Sequence, residues 1–252
     1  MAVYMKVLSV CGVTKSGKTT TIEQVIRELS ARGYRVGSVK EIHNETFAID
    51  PDPISNTNRH RSAGAELVCA RGLFETDLLF PKMLPMAKIL SFYEGEFDWV
   101  VLEGVSDIPV PTVVTAHHEE DLQAKFNEMT FCVSGRIASR MREYRGLPVL
   151  SALENIGELV DLIEQKVYDR LPDFPPECCT ACGLTCAELG RAILSGHKKR
   201  PDCVADRGIQ LTVNRKPINM VPFVQTILKN AVLGVVKELD GYEPEGEIEI
   251  RF

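Results

Sequence analysis

The chain has 252 residues, an ordinary apolar share and a net charge of −6 at pH 7, which leaves room for one large domain or two small ones around a substantial core. The acidic balance and the lack of a long basic run argue against nucleic acid as the main partner. No apolar run reaches the ~18–20 residues of a membrane span and the N-terminus carries no signal-peptide pattern, so the expectation is a cytoplasmic protein with no membrane partner.

The first predicted strand, Val7–Cys11, runs into Gly12-Val13-Thr14-Lys15-Ser16-Gly17-Lys18-Thr19-Thr20, a complete G-x4-G-K-[ST] phosphate-binding loop. Ile22, Val25, Ile26 and Leu29 follow at helical spacing, so a helix over 18–32 leaves the loop. Gly12 and Gly17 keep side chains out of the way, so that backbone N–H groups converge on phosphates. Lys18 supplies a mobile charge to the outer phosphates and Thr19 suits Mg²⁺. Thr14, Ser16 and Thr20 complete the phosphate cradle. Lys15 either contacts phosphate or is a solvated loop lysine.

Val36–Val39 is the next strand. A polar segment follows, Lys40-Glu41-Ile42-His43, then Asp50, then Asn58-Arg59-His60-Arg61-Ser62-Ala63-Gly64-Ala65. It is too long for a simple connection and is either disordered or a binding loop. Lys40, His43, Asp50, Arg59 and Arg61 are its candidate ligand-binding residues, since cations beside a phosphate loop suit a second anionic ligand or a partner's phosphate. The alternative is a solvated surface turn.

Strands are predicted at Leu67–Ala70, Leu78–Phe80, Trp99–Leu102, Thr112–Thr115, Thr130–Val133 and Val149–Leu150, with helices over 84–94, 136–144 and 155–170. The alternation indicates an α/β domain with a largely parallel sheet, ligands binding beyond the carboxyl ends of its strands. Glu103 emerges at the tip of Trp99–Leu102. With Thr19 it is a candidate Mg²⁺ site, directly or through water, and with Lys18 it is the candidate catalytic pair. The alternative for Glu103 is a capping or salt-bridging carboxylate. His117-His118-Glu119-Glu120 reads as a solvated loop rather than a metal site.

Of eight cysteines, five fall between 178 and 203. Cys11, Cys69 and Cys132 are isolated in apolar surroundings and read as buried structural thiols. A proline-rich linker at Leu171–Glu177 stops the preceding helix. Beyond it Cys179, Cys182, Cys186 and Cys203 are spaced C-x2-C-x3-C-x16-C, with Cys178 as a spare. Three close thiolates and one distant one suit a [4Fe–4S] cluster, whereas Zn²⁺ ribbons usually place ligands in two pairs. Ile209–Val213 and Lys216–Ile218 form a hairpin across Asn214-Arg215, a helix runs over 222–239, and Ile248 and Ile250 alternate in a closing strand. Phe223, Ile227, Ala231, Val235 and Leu239 are read as core positions of that helix, with a share in an interface as the alternative. The domain division is therefore a phosphate-loop domain over 1–171, a four-cysteine module over 172–206 and an α+β extension over 207–252.

The phosphate loop, Lys40, His43, Ile49-Asp50, Arg59, Arg61, Ala63-Gly64-Ala65, Glu103-Gly104 and Pro148-Val149-Leu150 together resemble the molybdopterin-guanine dinucleotide biosynthesis adapter family, MobB, over roughly residues 5–165. The resemblance implies a GTP-binding, weakly hydrolysing protein, often a homodimer, that assists a molybdopterin guanylyltransferase or another molybdoenzyme maturation partner. After Glu103-Gly104 the chain reads Val-Ser-Asp-Ile-Pro-Val-Pro, where the family usually has an aromatic and a basic residue. It also lacks an extra histidine beside His43 and any N-K-x-D base-recognition motif. The cysteine segment resembles the iron–sulfur domain of corrinoid iron–sulfur proteins, with one residue fewer between its second and third cysteines. Three functions are carried forward: a GTP-binding protein of molybdenum-cofactor biosynthesis with slow hydrolysis and an accessory iron–sulfur domain, a nucleotide-gated electron-transfer or metallocluster-maturation factor, and a non-enzymatic GTP-binding adapter.

Overall fold

The computed structural model describes residues 5–44, 47–50, 52–174, 179, 181–206, 209, 211–214, 216–218 and 220–242. The expected closing strand at Ile248 and Ile250 lies outside them, as does Cys178.

In chain order the elements begin with β1 (Lys6–Gly12), α1 (Lys18–Ala31), β2 (Val36–Lys40) and α2 (Asn56–Ser62). They continue with β3 (Val68–Arg71), β4 (Thr76–Leu79), α3 (Met86–Ser91), β5 (Trp99–Glu103), β6 (Thr112–Thr115), α4 (Glu119–Lys125) and β7 (Thr130–Ser134). Then come β8 (Glu143–Tyr144), β9 (Leu147–Pro148), α5 (Ile156–Lys166), α6 (Cys186–Leu194), β10 (Leu211–Val213), β11 (Lys216–Ile218) and α7 (Pro222–Val236). The central sheet has five parallel strands in the order β2-β5-β1-β6-β7.

Strand residues alternate faces, and the core follows that alternation. Leu8, Val10, Trp99, Val101, Val113 and Phe131 pack against Ile22, Val25 and Leu29 of α1 and Leu159, Val160 and Ile163 of α5. On the other face Val7, Val100 and Leu102 pack with Leu90 of α3, and Val114 and Val133 with Leu122 of α4. Burial on both faces is why these strands read as continuous apolar runs. Each fully buried Leu or Val contributes roughly 1.5–3 kcal/mol.

Several expectations are corrected. Leu67–Ala70 and Leu78–Phe80 do not join the sheet; β3 and β4 form a separate antiparallel hairpin. Val149–Leu150 contributes a single parallel bridge to β7, between Val133 and Val149. The helix over 136–144 is not formed. A 3-10 turn spans Arg136–Ser139, and Arg145 and Gly146 then take φ of 50° and 78° to join β8 to β9. Two successive positive φ values make a tight hairpin turn that ends any helix. The helix expected over 155–170 stops at Lys166, and the polar run 119–125 is a helix rather than a loop.

The cysteine segment packs directly on the first domain. Leu171, Leu189, Cys203 and Ala205 form its buried cluster, with Tyr168, Phe174, Cys182, Leu184, Cys186 and Ile193 against it. The described part of the proline-rich stretch is thus a packed strap. Arg200 donates to Asp169 O at 2.7 Å and Arg170 O at 3.0 Å, and Arg191 pairs with Glu128. A small cavity between Val7, Val110, Pro111, Leu171 and Cys186 places this contact at the amino ends of β1 and β6. That is the end away from the phosphate loop, roughly 20 Å along a seven-residue strand.

The helix stripe expected as core is exposed. Phe223 is 73% and Val235 66% exposed, and the one buried residue of α7 is Gln225. Gln225 Nε2 donates to Met220 O at 2.8 Å and also to Ala205 O. Among the described residues this polar anchor, not an apolar seam, ties the helix down.

Candidate functional site

β1 delivers the chain to the phosphate loop and α1 takes it away. Gly17, at φ 106°, precedes α1 with no side-chain cap, and no acidic residue sits in the first turn. The first N–H groups of a helix lack intrahelical partners, so this end presents free donors and partial positive charge to an anion. Lys15 takes a positive φ of 61° within the loop.

The loop is clamped from β6 and β7. Ser16 Oγ bonds to Val13 O at 2.8 Å and to Thr115 Oγ1 at 2.7 Å. The Arg136 N–H donates to Ser16 O at 3.0 Å. A Cβ on Gly17 would meet Gly135 Cα at 3.2 Å, and one on Gly135 would meet Ser16 O at 2.4 Å. Both glycines are needed for this approach. Gly12 and Ser16 therefore hold the loop's shape against β6, while Thr14, Lys15, Gly17, Lys18, Thr19 and Thr20 line an open cavity of about 620 Å³.

Lys18 Nζ donates to Gly12 O at 3.1 Å and Val13 O at 2.6 Å, across the loop's own carbonyls. Burial holds its ammonium below the usual lysine range, and Glu103 works in the opposite sense. Thr19 Oγ1 donates to Glu103 Oε1 at 2.7 Å, and Lys40 Nζ pairs with the same oxygen at 3.1 Å. A hydroxyl and a carboxylate side by side at the mouth of a phosphate cradle are oxygen donors of the kind Mg²⁺ takes. The register that pairs Lys40 with Glu103 across β2 and β5 explains why the lysine arrives there.

The remaining predicted residues lie elsewhere. Asp50 accepts from Ser55 Oγ at 2.6 Å and from Thr57, and these bonds lower its pKa below the ordinary carboxylate range. Arg61 donates to Asp50 O at 2.9 Å. These contacts brace the start of α2, whose cap is Ser55. Arg59 reaches Asn56 Oδ1 at 3.5 Å, and His43 is exposed. None of the four lines the cavity.

Residues the sequence reading passed over complete the site. His117 Nε2 stands 3.0 Å from Thr14 O, on a turn whose N–H groups donate to Asp121 and hold that carboxyl below its ordinary range. Gly135, Arg136, Ser151, Ala152 and Leu153 form the far wall of the cavity. Their signal was positional: each group directly follows a predicted parallel strand, at the ligand-binding end.

In the cysteine segment, Cys182 and Cys186 are half-buried against buried Cys203. Burial pushes the Cys186 thiol up, and Cys179 adds to that effect. Cys182 Sγ donates to Leu184 O at 3.3 Å. Three of the four thiols, Cys182, Cys186 and Cys203, share one apolar cluster, and thiolates are donors of the kind a metal or cluster takes. Among the described residues no three His, Cys, Asp or Glu side chains stand close enough together to hold an ion as they lie.

A family model described as MobB, molybdopterin guanine dinucleotide synthesis protein B, matches residues 7–134. A Bacillus subtilis protein described as a "Probable molybdopterin-guanine dinucleotide biosynthesis adapter protein" is 29% identical over 150 residues, 58% of this chain and 85% of that protein. A Methanocaldococcus jannaschii protein named, provisionally, for the same role is 24% identical over 251 residues, 98% of this chain and 97% of that protein. The crystal structure of Bacillus subtilis MobB superposes with a TM-score of 0.53 at 26% identity, covering 66% of this chain and all of that one. The likeness to the Bacillus structure thus covers two thirds of this chain, while the match to the Methanocaldococcus protein also takes in the cysteine segment.

Proposed function

Because the chain belongs to the molybdopterin guanine dinucleotide synthesis protein B family, we propose that it binds Mg²⁺–GTP at the phosphate loop and acts as an adapter in molybdopterin guanine dinucleotide synthesis. The observation that carries the nucleotide reading is the uncapped amino end of α1 facing a cavity that also holds Lys18, Thr19 and Glu103. Backbone N–H groups and Lys18 position the phosphates. Thr19 and Glu103 would hold the metal, with Lys40 beside the same carboxylate oxygen. His43, Asp50, Arg59 and Arg61 belong to the segment between β2 and β3, which faces the pterin or the partner enzyme. No glutamine stands among the described residues lining the cavity and no arginine is assigned there as a finger, so hydrolysis alone is slow, on the order of 10⁻⁴–10⁻² per second for an unaided switch-type GTPase. The protein works as a homodimer in the cytoplasm, where it delivers GTP to a molybdopterin guanylyltransferase.

The cysteine module is proposed to hold a [4Fe–4S] cluster on Cys179, Cys182, Cys186 and Cys203. The apolar setting of Cys203 and its neighbours supports this, since thiolates there need a cation to stabilise them. When bound, such a cluster supplies one-electron chemistry or a structural crosslink. Three measurements test the proposal. GTP turnover is followed with and without a molybdopterin guanylyltransferase, and a rise on adding the enzyme is expected; no effect on either protein's activity would sink the adapter role. An anaerobic absorption spectrum with iron and sulfide analysis tests the module, and zinc without iron would refute the cluster. Sedimentation of the full chain tests the dimer.

No helix among the described residues is long and apolar enough to cross a membrane.

A further inference from the structure

A phosphate loop presents its N–H groups to a ligand only if its carbonyls are held the other way. Peptide units are planar and trans, so the C=O of one residue points opposite to the N–H of the next. Inside the loop, Lys18 Nζ holds Gly12 O and Val13 O, and the Arg136 N–H holds Ser16 O. Thr14 O is held by a side chain from a different element, His117, whose Nε2 stands 3.0 Å away. A carbonyl only accepts, so this ring nitrogen carries the proton. Neutral imidazole protonated on Nε2 and imidazolium both satisfy the bond.

The position of His117 is fixed independently of the loop. Ala116 before it is fully buried, and the Ala116 carbonyl accepts from the Ile137 N–H at 2.9 Å. The N–H groups of His117 and His118 donate to Asp121 Oδ2 of α4 at 2.9 Å and 3.2 Å. The peptide unit that the imidazole grips leads into Lys15, a non-glycine residue at φ 61°. An L-residue keeps that left-handed conformation only where its surroundings hold it. Successive N–H groups around such a residue form an anion-binding concavity. With Thr14 O on His117, the Lys15 N–H is aimed the opposite way, and Thr14 and Lys15 both line the cavity. His117 itself is not among the residues lining it, so its hold does not compete with a ligand for space.

We propose that His117 is a positioning residue of the nucleotide site. Its Nε2–H holds the Thr14 carbonyl, keeps Lys15 in its left-handed conformation and thereby aims the Lys15 N–H at phosphate. The inference rests on the nucleotide reading given above and adds to it a residue about a hundred positions beyond the phosphate-loop motif. The motif supplies glycines, a lysine and a hydroxyl; the orientation of one of its peptide units comes from the turn between β6 and α4.

Two measurements on the full chain test this. The first is calorimetric titration of wild type, His117→Ala and His117→Gln with Mg²⁺–GTP. His117→Ala is expected to bind roughly three- to tenfold more weakly, the scale of one hydrogen bond. Glutamine places an amide N–H where Nε2–H stood, so His117→Gln is expected to bind within about twofold of wild type. The second is nitrogen-15 NMR of the unliganded wild type at pH 8, the His117 ring assigned by its absence from His117→Gln. The expected tautomer is the one protonated on Nε2. Full affinity in His117→Ala, no recovery in His117→Gln, or a ring protonated on Nδ1 alone overturns the role of His117 while the phosphate-loop reading stands. A wild-type protein that does not bind GTP overturns the nucleotide reading and this inference with it.

Discussion

Replacing Gly135 with alanine is expected to damage both stability and nucleotide binding, and the structure sets the scale. Gly135 has a φ of +83°, and a Cβ there would lie 2.4 Å from Ser16 O and 2.9 Å from Thr115 Cβ. Its ψ of −156° puts it in a region populated essentially by glycine, where an L-residue costs about 1–3 kcal/mol. Forcing a methyl into a packed contact adds about 1–3 kcal/mol, because the neighbours here are backbone and a β-carbon that cannot swing aside. Gly33→Ala is the comparison: its φ is +91°, yet nothing lies within 4 Å of the added Cβ. It carries a positive-φ cost without the contact. For a chain of this size each kcal/mol moves the melting temperature by about 2–4 °C. Gly135→Ala is therefore expected to melt at least ~2 °C below Gly33→Ala by scanning calorimetry. It should also bind Mg²⁺–GTP more weakly, because the contact that gives way holds Ser16 and Gly17. Two variants that melt together and bind alike would refute the claim that β7 shapes the phosphate loop.

Glu103→Gln is expected to lower GTP affinity at least about tenfold in Mg²⁺ and to leave affinity in EDTA nearly unchanged, since the carboxylate acts through the metal; equal losses in both buffers would make Glu103 a purely structural partner of Thr19 and Lys40. Burial pushes the Cys132 thiol up to about 12 and raises that of Cys11. Neither should react with a thiol reagent in the native protein at pH 8, whereas Cys69, expected to be buried but exposed on the β3–β4 hairpin, should react at once. The sign for stability follows: the native state keeps the Cys132 proton that the unfolded chain gives up in the ordinary thiol range. That contribution is full at neutral pH and is lost as pH rises towards about 12. Rapid native-state labelling of Cys132, followed by mass spectrometry, would contradict this burial.

The central sheet was legible because a parallel strand buried on both faces has little freedom of composition. Val7–Cys11 and Trp99–Leu102 contain almost nothing but apolar residues. The loop was legible because Gly12, Gly17, Lys18 and Thr19 stand in a fixed motif between a strand and a helix. The errors have physical causes. The run 136–144 carries helical spacing, but Arg145 and Gly146 close a hairpin turn, and Tyr144 is buried beside Phe126 as part of β8. α4 was hidden by its polarity, although Glu119, Glu120 and Asp121 in a first turn are a helix-start signal. α2 buries no residue at all, so no periodicity could announce it. On α7 the apolar stripe is present, but periodicity says only that a face is apolar, not what covers it. At the candidate site, Lys18, Thr19 and Glu103 were proposed from chemistry and Lys40 from order along the chain, and the structure brings Thr19, Lys40 and Glu103 together. Arg136 and Leu153 escaped because they belong to no motif. Only strand pairing places them beside residues more than a hundred positions away.

The most direct test of the account is equilibrium titration of the purified protein with Mg²⁺–GTP, beside Lys18→Ala. Lys18 bridges Gly12 O and Val13 O in the absence of ligand and lines the cavity that would take the phosphates. One GTP per chain is expected for the wild type, with a loss of at least about a hundredfold in affinity for the variant, the range for removing a charge that becomes buried in its pairing with an anion. Equal affinities for the two proteins, or no binding by either, would contradict the assignment of this loop as a nucleotide site.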